Sequence, residues 1–367
     1  MEDDNKLYEN FSESINTSHD INMSDSISGI SEAEREYIRY RRHNIFKVIA
    51  AGTIIAAGLT YYEITYKSHQ QNINGIAKNL VPATIVPTTS TTTLENKFNQ
   101  SNPLFSQNPT WSQDFSTMPN GNLNQSFWNI FSGPAPTNNE KEYDTNNSNN
   151  VRIQNGQLII EAIKQNYQGY QYTSGRINTV GKENIKYGKI DVVAKLPDGV
   201  GTWPAIWLMS ANNYYANLSP FSDPKRYLND GEIDIAESIG AKPNEVYEVI
   251  HTRLIDNNTT RGKYTKVHIP NEYTAFHTYG LEWTPTDIKF TIDGNTYFNY
   301  PKPINSNYTT WPFDKSFGLT IDIGVGGNWA GQDKSQFPPL GVNNNSLPAK
   351  MYIKSINYYK YLGGLAN

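Results

Sequence analysis

Three carboxylates fall within the segment Gly231-Glu-Ile-Asp-Ile-Ala-Glu-Ser238, at Glu232, Asp234 and Glu237. On an extended strand side chains alternate between faces, so Glu232 and Asp234 point one way while Ile233 and Ile235 point into a core. The third carboxylate arrives one residue late. A bulge at Ile235-Ala236 would return Glu237 to the face of the other two, and bulges are frequent beside active sites. The glutamates then stand four strand positions, or roughly 13 Å, apart at Cα. Leaning together on a concave strand, their carboxyls would approach to about 5–6 Å, a gap that suits retaining glycoside hydrolysis; inversion needs a wider one to admit a water. Like charges this close cannot all ionise at ordinary pKa values. One glutamate would be an ionised nucleophile and the other a proton donor, with Asp234 tuning the nucleophile. Two plainer readings compete. One is a solvated edge strand with a chance run of acids; the other is a metal site, against which stands the lack of a histidine within the segment.

The preceding segment, Gly201-Thr-Trp-Pro-Ala-Ile-Trp-Leu-Met209, places Trp203, Trp207 and Met209 on one face if extended. Flat indoles pack against the C–H face of sugar rings and tolerate a wet cleft. Tryptophan also fills cores, and at least one of the pair is expected there.

The elements that must position these groups are strands. Asn, Tyr, Thr, Gly and Pro are abundant, and no 3.6-residue period persists long enough for a core helix. Val151–Gln154 and Gln157–Ile163 flank Asn155-Gly156, and Lys289–Ile292 and Asn295–Phe298 flank Asp293-Gly294; both dipeptides favour type I′ hairpin turns. Ile190–Leu196 and Met351–Tyr359 are further strand-like runs. An all-β fold of two stacked antiparallel sheets is the simplest outcome. The chain has no cysteine, which excludes disulfides and thiol catalysis. Its net charge is −4, and no basic block interleaved with aromatics appears in the folded part, so no nucleic acid is expected as partner.

Upstream, residues 1–44 read as an acidic, polar cytoplasmic tail that ends in a basic cluster at Arg35, Arg39, Arg41 and Arg42. The apolar stretch 45–66 would span roughly 33 Å as a helix, enough for a bilayer of about 30 Å. The arginines before it point to a type II anchor with the remainder outside the membrane. A signal peptide cleaved near Ala56 and Gly58, giving a secreted protein, is the alternative. Residues 67–110, with their Pro/Thr/Ser run, read as a linker. A domain over 111–361 and a tail over 362–367 complete the chain.

With these segments in view, the chain resembles glycoside hydrolase family 16, in its laminarinase-like, endo-β-1,3-glucanase branch. The likeness spans roughly residues 111 to 361. Its carriers, in order, are Asn138–Tyr143, Tyr172–Ile177, Tyr187–Ile190, Leu196–Gly199, Trp203–Met209, Glu232–Glu237, Phe276–Pro285 and Gly326–Trp329. The resemblance implies a β-jelly-roll sandwich with a concave cleft, a β-glucan substrate, and retention through a covalent intermediate. It implies Glu232 as nucleophile, Asp234 as its assistant and Glu237 as general acid/base. Two residues between Asp234 and Glu237, instead of one, match the laminarinase-like branch. It further implies substrate contacts from Asn139, Glu140, Arg176, Trp203, Trp207 and Trp329, with His251 hydrogen-bonding near the acid/base. Alternatives within the resemblance are transglycosylation, another β-glucan or a galactan as substrate, or a non-catalytic glucan-binding module. Where the family carries an aspartate that helps hold a structural calcium, this chain has Lys354, and where an asparagine is common it has Asp322. No cofactor or metal is therefore expected, and the protein is expected to be a monomer.

Overall fold

The computed structural model of the protein describes residues 103–135, 138–259, 262–331 and 341–363. The expected cytoplasmic tail, the apolar stretch 45–66, and the linker up to residue 102 lie outside them, as do the last four residues of the C-terminal tail. The described residues form two sheets, as the strand-rich sequence requires.

One sheet has seven strands, numbered here in chain order: β1 (Asn129–Ile130), β2 (Arg176–Asn178), β3 (Thr202–Ser210), β4 (Glu232–Ser238), β5 (Glu245–His251), β6 (Lys263–His268) and β7 (Phe317–Val325). In space they run β6-β5-β4-β3-β7-β2-β1, every pair antiparallel. The carboxylate strand β4 and the tryptophan strand β3 are thus hydrogen-bonded neighbours near the middle. The other sheet has eleven strands, with Ala349–Tyr359 at its centre between Gly188–Lys195 and Gln157–Tyr167. It holds the one departure from antiparallel pairing among the described residues, Glu142–Asp144 beside Tyr170–Ser174. Both expected hairpins form, with φ positive at Asn155, Gly156, Asp293 and Gly294 as a type I′ turn demands. Pairing starts before Trp111: Ser106 donates to the Lys360 carbonyl at 2.9 Å, and Leu362 donates to that of Leu104.

The core lies between the sheets. Ile206, Leu208, Ile233, Ile235, Leu319, Ile321 and Ile323 pack with Ile190, Val192, Tyr279, Leu281, Ile353 and Ile356 in one buried cluster. Burying each such side chain is worth about 1.5–3 kcal/mol, which fixes the register of β3, β4 and β7 and so the face on which their polar residues emerge. Entry into β4 depends on Gly231 at φ +73°, where an added Cβ would lie 2.5 Å from Pro312 Cγ. Helices are short: α1 (Arg253–Thr259) follows β5, and α2 (Gly327–Ala330) follows β7.

The Lys354 ammonium lies 4.1 Å from the Phe276 ring centre, on the strand Ala349–Tyr359. On the resemblance this is the position from which an aspartate would reach a structural calcium, and an ammonium there offers that ion no ligand.

Candidate active site

The bulge is present. Against β3, Glu232 pairs with Met209 and Asp234 with Trp207, but Ala236 then pairs with Ile206, leaving Ile235 as the extra residue. Against β5, Asp234 pairs with Val249 and Glu237 with Tyr247, so two residues oppose Glu248 alone. Ile235 and Ala236 are both fully buried toward the core, and Glu237 returns to the face of Glu232 and Asp234. A regular strand would have aimed Glu237 into the apolar layer.

Neighbours on that face follow from register. A row across the sheet reads Arg176, Asp322, Ala205, Glu237, Tyr247. The small Ala205 leaves the floor low between the Asp322 and Glu237 carboxylates, which stand about 10 Å apart at Cα, two strand spacings. Both tryptophans emerge here and neither belongs to the core, contrary to the expectation that at least one would. The core face of β3 is taken by Ile206 and Leu208, and a period of two leaves Trp203 and Trp207 no other side. Trp203 Nε1 donates to Glu237 Oε1 at 2.8 Å, and Trp207 Nε1 donates to Asp322 Oδ1 at 2.8 Å. Trp329, on α2, stands edge-on to Trp203 (5.1 Å between ring centres) and to Tyr247 (4.9 Å). These three rings wall the Glu237 end.

His251 is anchored at the Glu232 end of the trio, from which its charge still reaches Glu237. It pairs directly with Glu232, at the opposite end of the trio from the acid/base. Its Nε2 is 3.4 Å from Asp234 Oδ2, and its Nδ1 is 2.9 Å from Asp256 Oδ1 on α1. Asp256 was invisible to motif reading: it is brought in by the turn of α1, five residues after the histidine. Tyr227, just before β4, belongs to none of the sequence motifs. Burial foremost, then the charges of Glu232, Asp256 and Asp234, push its phenol up to about 12.

Arg176 is buried rather than reaching freely for sugar hydroxyls. Its guanidinium is 2.7 Å from Asp322 and 3.6 Å from both Glu140 and Asp144. The aspartate in place of the family's asparagine is therefore matched by a guanidinium and an indole donor. Burial first, then the Asp322 charge, against Arg176, raise Glu140 to about 7. Asn139 is exposed and donates from Nδ2 to Asn328 Oδ1 at 2.9 Å, tying its loop to α2.

Electrostatics divides the trio. Burial pushes all three carboxyls up. Asp234 is raised furthest in kind, well above the usual range, because the Glu232 and Glu237 charges add to its burial; it keeps its proton and hydrogen-bonds Glu232. For Glu232, the charge of His251 and that hydrogen bond pull back against burial. Glu237 is held at about 7 by burial, opposed by His251 and the Trp203 N–H. Burial works against charge on His251 too, but the Asp256 hydrogen bond and the surrounding carboxylates win and raise it to about 9. The result is a nucleophile-like carboxylate flanked by donors, and a second carboxyl poised near neutrality.

Comparison with known proteins places the chain among glycosyl hydrolases. Residues 138–337 match the family model described as "Glycosyl hydrolases family 16". A beta-glucanase of Rhodothermus marinus is 34% identical over 217 residues, covering 58% of this chain and 71% of that protein. A glucan endo-1,3-beta-glucosidase A1 of Niallia circulans is 32% identical over 280 residues, covering 68% of this chain and 37% of that longer protein. Among solved structures, the laminarinase from Rhodothermus marinus superposes with a TM-score of 0.64 at 33% identity, covering 71% of this chain and all of the other.

Proposed function

The chain belongs to glycosyl hydrolase family 16, and from that premise we propose that it is an endo-acting, retaining β-1,3-glucanase with Glu232 as nucleophile and Glu237 as acid/base. The observation that carries this is the bulge at Ile235-Ala236, which brings both glutamates and Asp234 to one face. Glu237 donates its proton to the glycosidic oxygen as Glu232 Oε attacks the anomeric carbon, so the leaving sugar departs with that proton. A covalent glycosyl–Glu232 ester results. Glu237, now ionised, takes a proton from water, whose oxygen attacks the same carbon and frees Glu232. Asp234 donates to the Glu232 carboxylate and so stabilises the form that attacks. Trp203, Trp207 and Trp329 supply the apolar faces on which sugar rings rest. Support for β-1,3-glucan as substrate comes from the relatives named endo-1,3-beta-glucosidase and laminarinase.

The test is Glu232→Gln assayed for reducing ends released from laminarin. Turnover should fall by at least about a thousandfold with the fold intact, since the covalent route is lost. Turnover within tenfold of wild type would refute the assignment. Proton NMR of the first product should show the β-anomer. On the sequence of residues 35–66, the same proposal puts the domain outside the membrane on an N-terminal anchor; protease accessibility on intact cells tests that side.

A further inference from the structure

A metal site was discounted on sequence because no histidine lies in the carboxylate segment. Folding supplies one from the next strand, since Glu232 and His251 are direct cross-strand partners. One oxygen each from Glu232 and Asp234 and one ring nitrogen of His251 all lie within 4.8 Å of one another. We propose that these three side chains bind a single divalent ion of the zinc class, and that the ion reversibly silences the enzyme by capturing its nucleophile.

Four observations carry this. First, two ligands about 2.0–2.1 Å from a tetrahedral zinc lie about 3.3 Å apart, and His251 Nε2 to Asp234 Oδ2 measures 3.4 Å. Second, Asp234 Oδ2 is buried and has no hydrogen-bond partner of its own. Third, His251 Nδ1 engages Asp256 at 2.9 Å, and a carboxylate on the far ring nitrogen is the usual support of a zinc-binding imidazole, fixing the ring with Nε2 toward the ion. Fourth, the His251 side chain is 21% exposed, so the site is reachable from the cleft. Three protein ligands leave a fourth position for water, the composition of an open rather than a structural zinc site. Entry of the ion expels the proton on His251 Nε2 and the one held between Asp234 and Glu232 to solvent; no bond to substrate and no redox change is involved.

The proposal does not depend on which polysaccharide is cleaved, because its primary readout is the metal. Titration of the purified full chain with cobalt(II) should give a visible d–d spectrum of low-coordinate Co²⁺ saturating at one ion per chain, displaced by zinc. His251→Gln should abolish that spectrum, and Glu232→Gln should weaken binding, each with unchanged circular dichroism. Asp256→Asn, which touches no ligand to the ion but only the imidazole, should weaken it by about 10–100-fold. Zinc should suppress turnover with the same apparent constant, and EDTA should restore it. A cobalt spectrum of equal intensity in His251→Gln would place the ion elsewhere and overturn the proposal. So would the absence of one-to-one binding at millimolar metal.

Discussion

Replacing Trp203 by phenylalanine should move the alkaline limb of the pH–rate profile upward while leaving the ring wall standing. The indole N–H donates to Glu237 Oε1 at 2.8 Å and favours its ionised form. A hydrogen bond to a charged group is worth about 1.5–3 kcal/mol, and one pKa unit is about 1.4 kcal/mol, so losing the bond raises Glu237 by about 1–2 units. Water entering the vacated space recovers part of this, which selects the lower end. Glu237 starts at about 7; the limb in kcat/KM, which reports the free enzyme, should therefore shift to about 8. Phenylalanine keeps an aromatic edge toward Trp329, and Trp203 is not a core residue, so stability should hardly change. The assay is initial rate of laminarin hydrolysis from pH 4 to 10 at substrate well below KM. A fall in the height of the profile alone would say only that sugar stacking was lost. An unmoved limb, or one displaced to lower pH, would refute Glu237 as the proton donor held by this indole.

Other perturbations have equally definite outcomes. Glu248 faces the core opposite the bulge with neither oxygen hydrogen-bonded, and burial alone lifts it from 4.5 to about 8. A raised folded pKa means that folding retains a proton the unfolded chain releases. Its stabilising effect is thus complete below about 4.5 and is lost as pH climbs toward 8, by up to about 4–5 kcal/mol. Glu248→Gln should flatten that decline in urea melts at pH 5, 7 and 9, and equal slopes in both proteins would contradict it. Deleting Ala236 removes the bulge but leaves Ile235 alone between Asp234 and Glu237, so the period of two keeps Glu237 on the face of Glu232 and some laminarin turnover should remain; complete loss of turnover with the fold intact would show that the bulge does more than set the face. Asp322→Ala removes the 2.7 Å partner of buried Arg176 but leaves Glu140 and Asp144 at 3.6 Å, so the cost in folding stability, measured by denaturant midpoint, should fall below the roughly 3–5 kcal/mol of an uncompensated buried charge.

What sequence revealed was what has a short period. The bulge was legible because two isoleucines and three carboxylates cannot obey a period of two together, and the core needs the isoleucines. The type I′ hairpins were legible because Asn-Gly and Asp-Gly tolerate φ above zero at both positions. The partnership of Arg176 with Asp322 joins residues 146 positions apart through the β2–β7 register, which no local pattern encodes. The same holds for His251, whose cross-strand pairing with Glu232 depends on the length of the β4–β5 connection. Asp256 required knowing that a helix, not a loop, follows β5. The Trp203 and Trp207 pair was misjudged for a different reason. Tryptophan suits core and sugar platform equally by composition, and only the strand's own alternation, read against Ile206 and Leu208, decides between them.

The same alternation explains how two buried glutamates on one strand come to differ. Burial alone would raise both alike and leave neither suited to its task. Glu232 has the His251 imidazolium across the strand and a protonated Asp234 beside it, so its anion gains two stabilising neighbours against burial and the charges of Asp256 and Asp322. Glu237 also feels the His251 charge, but its hydrogen-bond donor is a neutral indole N–H, and the Glu232 charge opposes its ionisation. On the proposed assignment that opposition is timed. While Glu232 is free and negative, Glu237 holds its proton and can give it to the leaving oxygen. Once Glu232 is esterified its charge is gone, the repulsion on Glu237 disappears, and the carboxyl ionises more readily when it must act as base toward water. A glutamate on the opposite side of the sheet would feel little of this exchange, so the extra residue at Ile235 sets the electrostatic coupling as well as the geometry.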